Sequence, residues 1–233
     1  MELDIVGLLE TDLHRPAFGN RDLTQWLAQD LHMYADLGPS PKKHTWGAVL
    51  LSKFPIINST HHLLPSPHGE LAPAIHAVLD IWGVPTHVVV SHNGQFEDKL
   101  DRELQTKAIA RILSDAYPHP AIFLGYVVTK PHAPRPEPYD ILFSDGLIFE
   151  VDPDENDRWC QYLGFRGLER VGYARVSRYT VTDTELQTFK LAVPDRLEPN
   201  RDVRPFRVSG RHFKPAAWAY ALSRVRHARR ETA

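Results

Sequence analysis

Three pairs of polar residues sit directly behind short apolar runs. Glu10 and Asp12 follow the run that starts at Ile5, His92 and Asn93 follow VPTHVVVS, and Thr182 and Asp183 follow RYTV. Strand ends in α/β folds collect functional side chains, because the backbone fixes their direction while the next loop exposes them. A carboxylate there can hold Mg²⁺ or Ca²⁺, hard cations that take oxygen ligands. A histidine opposite it can act as general acid or base near neutral pH. A cation and an imidazole together suffice to polarise a phosphodiester and move a proton. Each residue alone says little, since a strand-end histidine is more often a hydrogen-bonded structural residue.

Other chemistries find no support in the pattern. There is no HxxxH or CxxC spacing for zinc, no Walker loop, no GxGxxG and no GxSxG elbow. His61 and His62 are adjacent, so on a strand they would face opposite ways and make a poor chelate. The single cysteine, Cys160, excludes an internal disulfide and reads as a small, half-buried hydrophobe. Net charge is -2, which supplies no basic field to recruit nucleic acid. No apolar run approaches the roughly 20 residues of a membrane helix, and MELDIVGLLETD lacks the marks of a signal peptide. It opens inside a strand-like run, as a fragment of a longer protein would. Asn58-Ser59-Thr60 is a glycosylation sequon, a weak pointer to a lumenal setting.

The candidate residues need strands to carry them. Residues 5–9 read as a buried strand that delivers Glu10, Thr11 and Asp12 to its end. WGAVLLS, 46–52, is another, and Pro55-Ile56-Ile57 is expected to run beside it after a turn. Residues 71–82 and 84–91 flank Gly83 as an antiparallel pair. Residues 121–128, 172–176 and 187–193 read as later strands. A helix is predicted over 22–33, capped by Asn20, with Leu23, Trp26, Leu27 and Leu31 at helical spacing. A second covers 98–116, where Leu100, Leu104, Ile109, Ile112 and Leu113 recur. KPHAPRPEP reads as an extended surface loop and DPDEND, 152–157, as an exposed, solvated acidic one. Apolar strands with intervening helices indicate an α/β sandwich with a single core over 1–194. An arginine-rich extension, 195–233, follows, with a predicted helix over 213–230.

The order of these segments resembles that of the endonuclease/exonuclease/phosphatase superfamily. DIVGLLETD, WGAVLLSKFPI, GELAPAIHAVL, VVVSHNG and AIFLG succeed one another as its motifs do. The resemblance implies a DNase-like α/β fold, two packed, mainly antiparallel sheets flanked by helices in four layers. It implies a divalent cation, Mg²⁺ or Ca²⁺, at Glu10, and a catalytic histidine at His92. A narrower set of segments is similar to the C-terminal domain of the calcofluor-white-hypersensitive membrane proteins, which act in lipid remodelling of GPI anchors. LLETD, WLAQDLHMYADLGP, LLPSPHGELAPAI, SHNGQFED with DRELQ, and RVGYARVSRYTVTDTELQ carry it over most of residues 3–192. It implies as substrate a phosphodiester flanked by inositol glycan and lipid, in a GPI anchor or an inositol phospholipid. It places the chain at the lumenal face of the endoplasmic reticulum, with the membrane portion of a full-length protein as partner.

Three departures from the superfamily pattern bear on mechanism. Gly125 is followed by Tyr126, Val127 and Val128 where the superfamily has Asp-x-Asn. Thr182-Asp183-Thr184 stands where it has Ser-Asp-His. Its first strand, bearing an Asn ahead of Glu10, is expected to be missing. The resemblance then implies metal-assisted phosphodiester chemistry on GPI lipid. In that reading Glu10 and Asp12 hold the cation, His92 protonates the leaving oxygen with Asp183 assisting, and Asn93, Gln95 and Glu70 contact phosphate or inositol hydroxyls. The lost Asp-x-Asn favours lipid exchange, an alcohol replacing water. The alternative is a catalytically degenerate domain that binds GPI glycolipid or a membrane partner. A nuclease ranks last on charge.

Overall fold

The computed structural model describes residues 3–12, 22–41, 46–176 and 184–194. Asn20, Asp183 and the arginine-rich extension with its expected helix lie outside the described residues. Within them, β1 (Ile5–Asp12), β2 (Tyr34–Leu37) and β3 (Trp46–Ser52) form an antiparallel sheet in the order β1-β3-β2. A larger sheet contains β4 (Ile56–Leu64), β5 (Ala72–Ile81), β6 (Val84–His92), β7 (Ala121–Tyr126), β8 (Phe149–Glu150) and β9 (Gln161–Arg166). Its order is β4-β5-β6-β7-β9-β8. A hairpin of β10 (Glu169–Val176) and β11 (Leu186–Ala192) completes the strands.

Alternation along the apolar runs builds the layers. Leu50 from β3 packs on Ile75, Ala77, Leu79, Val88 and Val90 of the larger sheet, and Ile5 and Leu9 of β1 join them. The outer face of the smaller sheet is covered by α1 (Leu23–Asp30), whose Leu27 and Ala28 meet Val49 and Leu51. The far face of the larger sheet is covered by α2 (Lys99–Asp115), through Ile109 and Leu113 against Val89 and Phe123. This is the four-layer α/β sandwich that the sequence indicated. β6 and β7 run parallel, which demands a crossover rather than a hairpin, and α2 is that crossover. It sets the ends of β6 and β7 side by side, with His92 opposite Tyr126.

Several expectations need correction. The strand 5–9 extends to Asp12 and is half-buried rather than fully buried, because β1 lies at the border of its sheet. The first helix is shorter than predicted and is capped by Asp22, whose Oδ1 accepts the Gln25 N–H at 2.9 Å. β4 does not lie beside β3. It crosses to the other sheet and pairs with β5. β2, β8 and β9 went unread: two are very short, and QYLGFR lacks a regular alternation. The proline-rich loop ends in a short helix, α3 (Pro138–Asp140), which runs into a π-helical turn over Ile141–Asp145. The acidic loop is not simply solvated: Asp152 and Glu155 are buried, and Glu155 takes an ion pair from Arg175 at 3.1 Å. No helix among the described residues is long and apolar enough to cross a membrane.

The two adjacent histidines diverge as expected. His61 Nε2 donates to Asp36 Oδ1 at 2.7 Å, while His62 lies near His76. His76 stacks on His87 with ring nitrogens 2.8 Å apart, and His119 continues the column 5.6 Å from His87. Burial, then the imidazoles of His87 and His62, push His76 down to about 4. Burial and His119 lower His87 as well, with Arg166 adding to the effect. These rings are neutral when folded but protonate in the unfolded chain. Between pH 6.5 and about 4 the unfolded state therefore binds more protons, and stability falls as pH drops through that window. Replacing His76 by Gln is expected to shrink the loss of stability between pH 7 and pH 4.5 by roughly 1 kcal/mol, discounted for partial exposure. Urea unfolding at both pH values measures it.

Candidate active site

Glu10 owes its position to an irregularity in β1. Leu8 lies opposite Val49 and Thr11 opposite Gly47, so an extra residue of β1 is accommodated between them as a bulge. Glu10 sits in that bulge with φ +56°, the left-handed region that disfavours side chains other than glycine. Bulges of this kind re-aim a side chain, and local strain concentrates at functional sites. Gly7, earlier in the strand, allows the close approach: a Cβ there would meet Leu124 of β7 at 3.1 Å. Brought this near the larger sheet, the Glu10 carboxylate reaches His92.

His92 Nε2 donates to Glu10 Oε1 at 2.8 Å, joining residues 82 positions apart in the chain. The imidazole is 16 % exposed and the carboxylate 65 %, so the pair stands at a mouth between the sheets. The hydrogen bond from His92 holds the Glu10 carboxyl below its ordinary range against an opposing effect of burial, and the imidazole's charge adds a lesser push in the same direction as the hydrogen bond. Two aromatic rings fix the imidazole. Trp46 meets it edge-on at 5.3 Å and Tyr126 lies at 5.2 Å. Both were missed in the sequence, although each bounds a strand run at this end of the fold. Gly125 is obligatory beside them, since a Cβ would stand 2.5 Å from the Ser91 carbonyl.

The loop after His92 is held from beneath by α2. Asn93 is 0 % exposed, and both ends of its carboxamide are engaged. Ser91 Oγ donates to its Oδ1 at 3.2 Å, and its Nδ2 donates to Thr106 Oγ1 at 2.9 Å. Gln105 Oε1 accepts the Gly94 N–H at 2.7 Å, and Gln105 Nε2 donates to Ser66 Oγ at 2.7 Å. Asn93, expected as a phosphate or inositol donor, is thus buried with its carboxamide bonded at both ends, and it anchors the loop. Gln95 is exposed in that loop, and Glu70 is exposed just before β5 at the same end of the sheet. Asp12 closes β1 opposite Trp46, its side chain outside the description, as is Asp183. Beside Asp183, Thr184 shares a hydrogen bond of 2.7 Å with the Tyr126 hydroxyl. Two of the departures from the superfamily thus touch each other.

A family model described as the PGAP2IP C-terminal nuclease-like domain matches residues 1–214. The chain belongs to that family. Protein cwh43 of Schizosaccharomyces pombe is 56 % identical over 216 residues, which are 93 % of this chain and 22 % of that protein. The chain therefore spans about a fifth of the curated relative it matches. An endonuclease/exonuclease/phosphatase from Bacteroides vulgatus superposes with a TM-score of 0.64 at 14 % identity, covering 82 % of this chain and 85 % of that one. A mannosyl-6-phosphatase from Bacteroides thetaiotaomicron gives 0.57 at 13 %, covering 82 % and 86 %. At these identities the solved structures establish the fold alone.

For this member of the PGAP2IP nuclease-like family, the fit of a divalent cation depends on the donors present. Among the described residues no three His, Cys, Asp or Glu side chains converge. Mg²⁺ retains several waters and is commonly held by roughly one or two carboxylates together with a substrate phosphate. The exposed Glu10 carboxylate fits that mode.

The conformation of Glu10 yields a test independent of activity. Glu10→Ala and Glu10→Gly both remove the pair with His92, itself worth about 0–1 kcal/mol at this exposure. Only glycine also relieves the positive φ, so Glu10→Gly is expected to be more stable than Glu10→Ala by about 1 kcal/mol. Equal unfolding midpoints would show that the left-handed bulge is absent in solution.

Proposed function

We propose that this chain is the phosphodiester-directed domain of a GPI-anchor lipid-remodelling protein, working at the lumenal face of the endoplasmic reticulum. The Glu10–His92 pair carries the reading: an acid and an imidazole from different sheets meet at a solvent-open mouth. The 56 % identity to cwh43 supports the GPI context. The substrate is a phosphodiester between an inositol headgroup and lipid, and the membrane portion of the longer protein delivers it.

Glu10, with Asp12 as the expected second donor, would hold Mg²⁺, which when bound neutralises charge on the phosphoryl oxygens. His92 carries the mobile proton. Its Nε2–H is donated to Glu10 and its ring packs against Trp46 and Tyr126, so the proton for a leaving alkoxide would come from the other ring nitrogen, Nδ1, of the protonated imidazole. Tyr126 brings a phenol hydroxyl to the position where the superfamily pattern has a carboxylate. It offers a neutral hydrogen bond, shared with Thr184. That chemistry suits transfer of the phosphoryl-inositol portion to the alcohol of an incoming lipid, with His92 serving the exchange in both directions. Gln95 and Glu70, exposed at the same end, are placed to meet inositol hydroxyls.

The Tyr126–Thr184 bond also favours a second reading, a domain that binds the glycolipid without transforming it. Two measurements separate them. In the full-length protein, His92→Ala is expected to reduce GPI-lipid exchange at least about 100-fold while the protein level is maintained. Undiminished exchange removes His92 from the mechanism and leaves the binding reading. In calorimetry with MgCl₂, the chain is expected to bind saturably and Glu10→Ala to lose that heat. Binding that survives Glu10→Ala would move the cation elsewhere.

A further inference from the structure

We propose that Asn58 is an N-glycosylation site, and that its oligosaccharide caps the open edge of the six-stranded sheet. Asn58-Ser59-Thr60 is the one Asn-x-Ser/Thr sequence in the chain. It lies in β4, the border strand, so one side of that strand has no neighbour in the sheet. The register of β4 against β5 slips between Ile56 and Asn58, a bulge at Ile57 immediately before the acceptor. Asn58, Ser59 and Thr60 are all exposed, and no hydrogen bond among the described residues engages the Asn58 carboxamide. Among the described residues nothing shields Nδ2 from a bulky donor.

An unprotected border strand needs a device against edge-to-edge pairing. β4 is nine residues long, and Ile57 beside the acceptor is 57 % exposed, an apolar group on an open edge. A glycan on Asn58 would cover both. It would also stay clear of the mouth. Asn58 is opposite Val78, which is opposite His87, five residues before His92 along β6, or about 17 Å at a strand rise of about 3.4 Å per residue. The chemistry is a group transfer. Asn58 Nδ2 forms a bond to the anomeric carbon of a lipid-diphosphate-linked oligosaccharide; the bond from that carbon to the diphosphate oxygen breaks. The amide proton passes to solvent and the lipid diphosphate leaves.

The proposal rests on the lumenal placement. The chain is expressed in eukaryotic cells behind a cleavable secretory signal, with a second sequon appended at its C-terminus as a reporter of lumenal entry. Peptide N-glycosidase is expected to remove two glycans from this protein and one from Asn58→Gln or Thr60→Ala. A modified tail with an unmodified Asn58 overturns the proposal alone. In the full-length protein from its own cells, a glycan at Asn58 supports both readings; its absence there, when the secreted chain does carry it, overturns the lumenal placement and the proposal together. Capping is read by light scattering: secreted Asn58→Gln is expected to self-associate at concentrations where the glycosylated chain is monomeric. Equal monomer fractions would remove the capping role.

Discussion

The N-terminal half of α2 buries Asp101, Arg102, Gln105 and Thr106, polar groups that each cost free energy when left without partners. Their partners are loops rather than other helices. Asp101 accepts the N–H groups of His68 and Gly69, the latter at 2.6 Å, and so ties down the turn before β5. Arg102 donates to the Val128 carbonyl at 2.6 Å behind β7 and lies over the Phe96 ring. Gln105 and Thr106 hold Gly94 and Asn93 directly after His92. Fewer than two helix turns therefore fix three loops at the same end of the larger sheet. A helix with an apolar stripe along its whole length would have packed there, but it could not have specified where those loops stop.

The mouth depends on that anchoring because its two ionisable groups come from different sheets. β6 supplies His92 with its following loop pinned, and β1 supplies Glu10 from a bulge in an unfavourable backbone conformation. Strain of this kind persists only where neighbours over-determine the geometry. Gly7 and Gly125 give the required close approaches, and Trp46 and Tyr126 fill the space around the imidazole. A phenol and a hydroxyl, bonded to each other, stand near the imidazole.

Much of the sandwich was legible in the chain. WGAVLLS, the pair around Gly83 and the helix after SHNGQFED stand close to where their patterns put them, since long apolar runs and helical spacing report burial directly. The helical face was read less well. Leu100 is exposed, while Asp101 and Arg102 beside it are buried, because the N-terminal half of α2 packs on loop backbone whose N–H and C=O groups require polar partners. β4 was assigned to the wrong neighbour, since local pattern does not say which sheet a strand joins.

By itself the sequence determined the layered α/β class, the strand that ends in His92, and Glu10 and His92 as the residues to watch. It did so because strand endings and motif order are local properties. Only the tertiary structure decided that these two side chains meet, that Asn93 faces inward to Thr106, and that Tyr126 and Thr184 bond to each other. Those outcomes depend on a bulge, a crossover and a buried polar helix face acting across distant parts of the chain, and no short window of sequence contains all the partners.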